Sequence, residues 1–154
     1  MDMNYEKVPD FELKDQDGEI VKLSHYRGKR VLLSFHPFAW TSVCAKQMRS
    51  LEENREKFKQ HNTVPMGISC DPVPSKKAWA EEIDVRETRL LSDFWPHGEY
   101  SKLQDLFRED GGMSERANVI VDEEGNMIFR KVYPLSELPD IDEIIEFLEK
   151  RERK

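Results

Sequence analysis

The sequence predicts an α/β protein built on a mixed β-sheet. Three observations carry this. Short apolar runs of strand length alternate with stretches whose apolar residues recur at helical spacing. A hairpin signalled by Asp17-Gly18 opens the chain. A second hairpin, signalled by Gly125-Asn126 and followed by a helix, closes it. The chain has 154 residues, which suits one domain over residues 1–154.

The elements follow in order. Phe11-Glu-Leu-Lys14 and Ile20-Val-Lys-Leu23 alternate around the turn Asp15-Gln-Asp-Gly18 and read as an N-terminal β-hairpin. Val31-Leu-Leu-Ser-Phe35 is a short apolar run of the kind found in buried parallel strands. A helix is predicted over 41–60, with Cys44, Met48, Leu51 and Phe58 on its apolar stripe. A strand follows over 63–69. Ser75 is placed to cap the next helix, where Trp79 and Ile83 lie one turn apart. Arg89-Leu-Leu91 is a short strand, and Tyr100, Leu103 and Phe107 mark a third helical face. Strands over 117–121 and 127–133 form the second hairpin. Asp140 caps a last helix carrying Ile141, Ile144, Ile145 and Leu148, and the charged tail 149–154 is expected to fray.

Charge and composition exclude several classes. The net charge is −7, from 24 basic and 31 acidic residues, which disfavours nucleic acid and anionic membranes as partners. No run approaches the roughly 18 apolar residues of a membrane span. Residues 1–10 lack an apolar signal core, so a cytoplasmic location is expected. The two cysteines, Cys44 and Cys70, are not a CxxC pair and cannot build a disulfide scaffold. The four histidines show no zinc-ligand spacing with them, and no metal site is expected.

The chemistry concentrates in His36-Pro-Phe-Ala-Trp-Thr-Ser-Val-Cys44, between a buried strand and an amphipathic helix. Thr41 stands at the N-cap and puts Cys44 in the first turn, among free N–H groups at the positive end of the helix dipole. A thiol there ionises more readily than a free cysteine, and the thiolate is the nucleophile. Pro37 stiffens the approach and can wall off one side of the sulfur. The competing reading of the same residues is an inert core cysteine beside a capping threonine.

Pro37-x-x-x-Thr41-x-x-Cys44 matches the PxxxTxxC signature, and the chain resembles the peroxiredoxins (AhpC/TSA family) along nearly its whole length. The resemblance includes Val8-Pro-Asp-Phe-Glu-Leu13, Leu23-Ser-His-Tyr-Arg-Gly28, Gly67-Ile-Ser69 with Asp71, and Lys77-Ala-Trp79. Leu91-Ser-Asp-Phe-Trp-Pro-His-Gly98 is similar to the one-cysteine alkyl hydroperoxide reductase E-type branch. Arg116-Ala-Asn-Val-Ile-Val-Asp122 resembles the strand carrying the family's active-site arginine.

The resemblance implies a thioredoxin-like fold with the N-terminal hairpin as an extension. It implies reduction of hydrogen peroxide, alkyl hydroperoxides or peroxynitrite through a cysteine sulfenic acid, without metal, haem or flavin. Cys44 is then the peroxidatic nucleophile. Thr41 offers its hydroxyl, Val43 and Cys44 their N–H groups, and Arg116 a fixed positive charge that steadies the thiolate and the breaking O–O bond. Phe38 and Trp40, with Phe94 and Trp95, would line an apolar mouth; such aromatics also serve as core or dimer contacts. Gln47 stands three residues after the cysteine, where the family commonly has a glutamate that orients the arginine. Gln47 can accept hydrogen bonds and removes a negative charge that would oppose the thiolate. His36 stands where an aromatic residue is usual and can bring pH sensitivity or simply pack.

Cys70 has two readings. It follows a strand predicted parallel to the one before Cys44, so it can resolve a Cys44 sulfenic acid after local unwinding or across a dimer. Otherwise it packs, and a small thiol or a thioredoxin-, glutaredoxin- or mycoredoxin-like protein reduces Cys44. A homodimer is expected from the resemblance. The rival function is a peroxide-sensing redox-signalling or holdase protein with little turnover. A thioredoxin-like disulfide reductase lacks its CxxC, and a cysteine hydrolase lacks a clearly placed histidine; His97 is expected to shape the Phe94-Trp95-Pro96 loop.

Overall fold

The computed structural model describes residues 6–152. The expected hairpin is formed by β1 (Glu12–Lys14) and β2 (Ile20–Lys22), with Leu13 opposite Val21. Three parallel strands follow: β3 (Arg30–Phe35), β4 (Thr63–Ser69) and β5 (Arg89–Ser92). A small ribbon, β6 (Phe107–Arg108) with β7 (Met113–Ser114), stands apart. Then β8 (Arg116–Val121) and β9 (Met127–Tyr133) pair antiparallel. The main sheet has seven strands in the order β2-β1-β5-β4-β3-β8-β9, mixed as the sequence predicts. The helices are α1 (Ser42–Glu53), α2 (Arg55–Gln60), α3 (Val73–Glu82), α4 (Glu99–Leu103) and α5 (Ile141–Glu152).

Alternation along the central strands builds two cores, one on each face. Val31, Leu33 and Phe35 of β3, Met66 and Ile68 of β4, and Ala117, Val119 and Val121 of β8 meet Phe11, Leu23 and Tyr100 on one face. Leu32 and Ile120 point the other way, to Cys44, Met48, Leu51, Phe58, Trp79, Ile144 and Leu148 from the helices. A strand buried on both faces reads as a near-continuous apolar run, as 31–35 does apart from Ser34. Gly67 lies on the helical face, where a Cβ would collide with Met48 and crowd Leu90 and His36. Its lack of a side chain lets α1 lie close on the sheet.

Four local expectations are corrected. The helix predicted over 41–60 is two helices, because Asn54 leaves helical geometry (φ −102°, ψ 12°) and its side-chain amide donates to the Ser50 carbonyl at 2.7 Å. Ser75 does not cap α3. The helix starts earlier, from Pro72, with Pro74 in a first turn that needs no N–H from it. Phe107 is not on a helix: α4 ends at Leu103, Asp105 reverses the chain at φ 58°, and Leu103 is left 59% exposed. Residues 149–152 of the tail continue α5, where Glu152 accepts from Arg30 at 3.0 Å and contacts His61 at 2.8 Å, while 153–154 lie outside the described residues.

Candidate active site

Sheet register converges three segments at one edge. Phe35 at the end of β3 lies level with Ile68 of parallel β4 and with Ala117 at the start of antiparallel β8. The β3–α1 loop, the residues after β4 and Arg116 therefore meet at the same end of the sheet, the usual position for function in an open α/β sheet.

Cys44 is fully buried in the first turn of α1. The first intrahelical bond runs from the Ala45 N–H to the Thr41 carbonyl at 2.9 Å, so the N–H groups of Ser42, Val43 and Cys44 have no helical partner. Arg116, 3% exposed, reaches across from β8. Its Nη1 donates to Cys44 Sγ at 3.3 Å and to Gln47 Oε1 at 2.7 Å, and its Nε donates to the Leu135 carbonyl at 3.0 Å. Gln47 is itself oriented, because its Nε2 donates to Ser34 Oγ at 2.7 Å and to the Phe35 carbonyl at 3.1 Å. That leaves its oxygen facing the guanidinium. Ser34 donates on to Asn118 Oδ1 at 2.7 Å. A neutral, fully hydrogen-bonded amide thus holds Arg116 without adding a carboxylate beside the sulfur.

The loop before α1 is held by the segment after β4. The Ala39 N–H donates to Asp71 Oδ2 at 2.8 Å, and the same oxygen accepts from Ser69 Oγ at 2.6 Å. Trp40 Nε1 donates to Ser75 Oγ at 3.0 Å. These ties keep Trp40 at φ 72°, a conformation few side chains adopt. Pro37 is buried, Val43 is half-buried and Thr41 is exposed. Thr41 occupies the N-cap, but its hydroxyl donates to the Phe38 carbonyl at 3.2 Å and makes no cap to the helix. The first-turn N–H groups consequently stay open. Phe38, Trp40, Phe94 and Trp95 are all exposed, the last at 82%. His97 Nε2 donates to the Gly112 carbonyl at 2.6 Å and packs edge-on against Phe94 and Phe107, so it shapes that loop.

His36 is fully buried, not a surface pH sensor. Burial, the Lys76 charge and then Arg116 hold it well below the ordinary histidine range, and it stays neutral. Cys70 is a free, buried thiol. Burial, with Asp93 and Asp71 nearby, pushes it up to about 12, so in this conformation it is protonated. Among the described residues no group of three or more His, Cys, Asp or Glu is placed to share a metal ion. Spacing alone did not single out Ser34, Asn118, Asp71 or Lys76. Each acts through tertiary contacts, and only their positions next to strand ends hint at it.

A thioredoxin-like sheet that brings a helix-start cysteine and a strand arginine together defines the class, and the family comparison agrees. Residues 5–130 match the model of the AhpC/TSA family, and the chain belongs to that family, the peroxiredoxins. It is a thiol-dependent peroxidase by class. Among its relatives, alkyl hydroperoxide reductase E of Mycobacterium tuberculosis is 37% identical over 134 residues, 86% of this chain and 87% of that protein. Chloroplastic peroxiredoxin Q of Suaeda salsa is 36% identical over 145 residues, covering 92% of this chain and 65% of the longer relative. Reduced 2-Cys peroxiredoxin of Plasmodium vivax superposes with a TM-score of 0.87 at 27% identity, covering 96% of this chain and 81% of that one. AhpC of Enterococcus faecalis gives 0.88 at 25% identity, covering 99% and 93%.

Proposed function

We propose that Cys44 is the peroxidatic nucleophile and that Arg116, Thr41 and Pro37 complete its site. The observation that carries this is the guanidinium Nη1 3.3 Å from the Cys44 sulfur, with both groups buried at a helix start. The thiolate attacks one peroxide oxygen. The O–O bond breaks, the sulfur is oxidised to sulfenic acid, and the other oxygen leaves as alkoxide or hydroxide and takes a proton. Arg116 and the first-turn N–H groups of Val43 and Cys44 face the charge that develops. Thr41 must turn its hydroxyl from Phe38 to the peroxide for a direct role. Exposed Phe38 and Trp40, on the loop that carries the thiol, favour alkyl hydroperoxides among the substrates, alongside hydrogen peroxide and peroxynitrite. A homodimer is part of the same reading, with exposed Phe94 and Trp95 as the surface we assign to it.

Cys70, held as a neutral buried thiol, is read as a packing residue, with a small thiol or a thioredoxin-, glutaredoxin- or mycoredoxin-like protein as reductant. Under a reducing system, Cys44→Ser abolishes repeated peroxide consumption and Cys70→Ser keeps it. An internal disulfide in peroxide-treated wild type, seen by non-reducing intact mass, would instead make Cys70 the resolving cysteine. Peroxide consumption that stops after one equivalent with every reductant favours the sensor reading.

A further inference from the structure

Polar side chains are buried side by side on the helical face of the sheet: Ser34 of β3, Arg116 and Asn118 of β8, Tyr133 of β9, and Gln47 of α1. Register puts the strand residues there. Ser34 lies level with Asn118 across β3 and β8, and Arg116 level with Tyr133 across β8 and β9. Alternation gives them the same face as Leu32 and Ile120. Buried polar groups are costly unless each is hydrogen-bonded. Here the bonds run in one line. Arg116 Nη1 donates to Gln47 Oε1, Gln47 Nε2 to Ser34 Oγ, and Ser34 Oγ to Asn118 Oδ1, each at 2.7 Å. Asn118 Nδ2 donates to the Tyr133 hydroxyl at 3.4 Å, and that hydroxyl donates to Glu143 Oε1 at 2.9 Å. Glu143 lies half-buried in the first turn of α5 and also accepts from exposed Lys131 Nζ at 2.8 Å.

Every donor in this line points the same way, from the Cys44 site toward α5. The two ends impose that direction. A guanidinium only donates and a carboxylate only accepts, whereas the hydroxyls and amides between them do both. Lys131 holds the Glu143 carboxyl below its ordinary range, so it stays charged. Burial pushes the Tyr133 phenol above its ordinary range, so it keeps the proton it donates. Reversing either amide would set two donors or two acceptors face to face. We propose that Tyr133 and Glu143 are positioning residues for the peroxidase site. Through Asn118 and Ser34 they fix the Gln47 amide with its oxygen toward Arg116, and so hold the guanidinium on the Cys44 sulfur. Neither touches peroxide. The inference rests on Cys44 being the peroxidatic residue.

The test uses the full chain in a Cys70→Ser background, so that Cys44 is the only thiol. Stopped flow gives the peroxide rate constant, and ultraviolet absorbance across pH gives thiolate formation. Tyr133→Phe removes one hydroxyl and keeps the ring. It should lower the rate constant about three- to tenfold, the range for one lost hydrogen bond. Its thiolate should form at higher pH than the parent's. Glu143→Leu, at a half-buried position on α5, should do the same. Glu143→Gln keeps an acceptor for the Tyr133 hydroxyl and should restore the rate. Ser34→Ala cuts the line nearer the sulfur, so adding Tyr133→Phe to it should lower the rate no further. Parent rates and parent thiolate titration in Tyr133→Phe and Glu143→Leu overturn the proposal. So do losses that add in the double variant, or a Glu143→Gln variant as slow as Glu143→Leu. Because thiolate absorbance needs no turnover, this failure is distinct from failure of the peroxidase reading, which shows as activity surviving Cys44→Ser.

Discussion

At the scale of single residues, the site is a sulfur in direct contact with a guanidinium that an amide holds in place. Gln47 is pinned by Ser34 and the Phe35 carbonyl, and so presents its oxygen to Arg116. Arg116→Met should lower the peroxide rate constant by about 10²–10³-fold, in the range of a lost transition-state donor. Arg116→Lys should recover only part of it, because an ammonium cannot bridge Sγ, Gln47 and the Leu135 carbonyl from one planar group. Stopped-flow tryptophan fluorescence measures both; a wild-type rate in Arg116→Met would refute the proposed role. Local spacing was enough to read Cys44 into a first helical turn. No spacing places residue 116 beside residue 44, and only the family resemblance pointed there. The hydroxyl of Thr41 is the instructive case. Its N-cap position was legible, but its bond to Phe38 was not, because the loop's shape is set by Asp71 and Ser75.

At the scale of elements, α1 is fastened at both ends. Near its end, Glu52 accepts from the N–H groups of Arg86 and Thr88 at 2.9 and 2.8 Å and from the Thr88 hydroxyl at 2.8 Å. Burial alone would raise this carboxyl, but those bonds outweigh it and hold it below its ordinary value. A carboxyl lowered in the fold stabilises fully above its unfolded titration range. That contribution is lost as pH falls through the folded value. Glu52→Gln should therefore cost about 1–3 kcal/mol in urea unfolding at neutral pH. The cost should shrink as the solution is acidified; a cost independent of pH would contradict the assignment. The elements misread from sequence share a cause. Asn54, Pro72 and Asp105 end or start helices through backbone geometry that a pattern of apolar residues does not record. Tyr100, Leu103 and Phe107 had helical spacing, yet the chain turns before the third of them.

At the scale of the whole molecule, stability resides in a sheet buried on both faces. Leu33→Ala, inside the core, should cost about 2–5 kcal/mol, while Leu103→Ala, largely exposed, should cost under about 0.5 kcal/mol. Equal losses by urea denaturation would mean that the two-faced core is wrongly drawn. Local residue patterns were enough for the alternation of strands and helices, the two hairpins and the cysteine at a helix start. These depend on periodicity, turn chemistry and capping, which act over a few residues. The order of the strands, the approach of Arg116 to the sulfur with Gln47 holding it, and the burial of His36 and Lys76 emerge only when the chain is folded. Those follow from which sheet edges and faces meet, and contacts between residues tens of positions apart leave no local pattern in the chain.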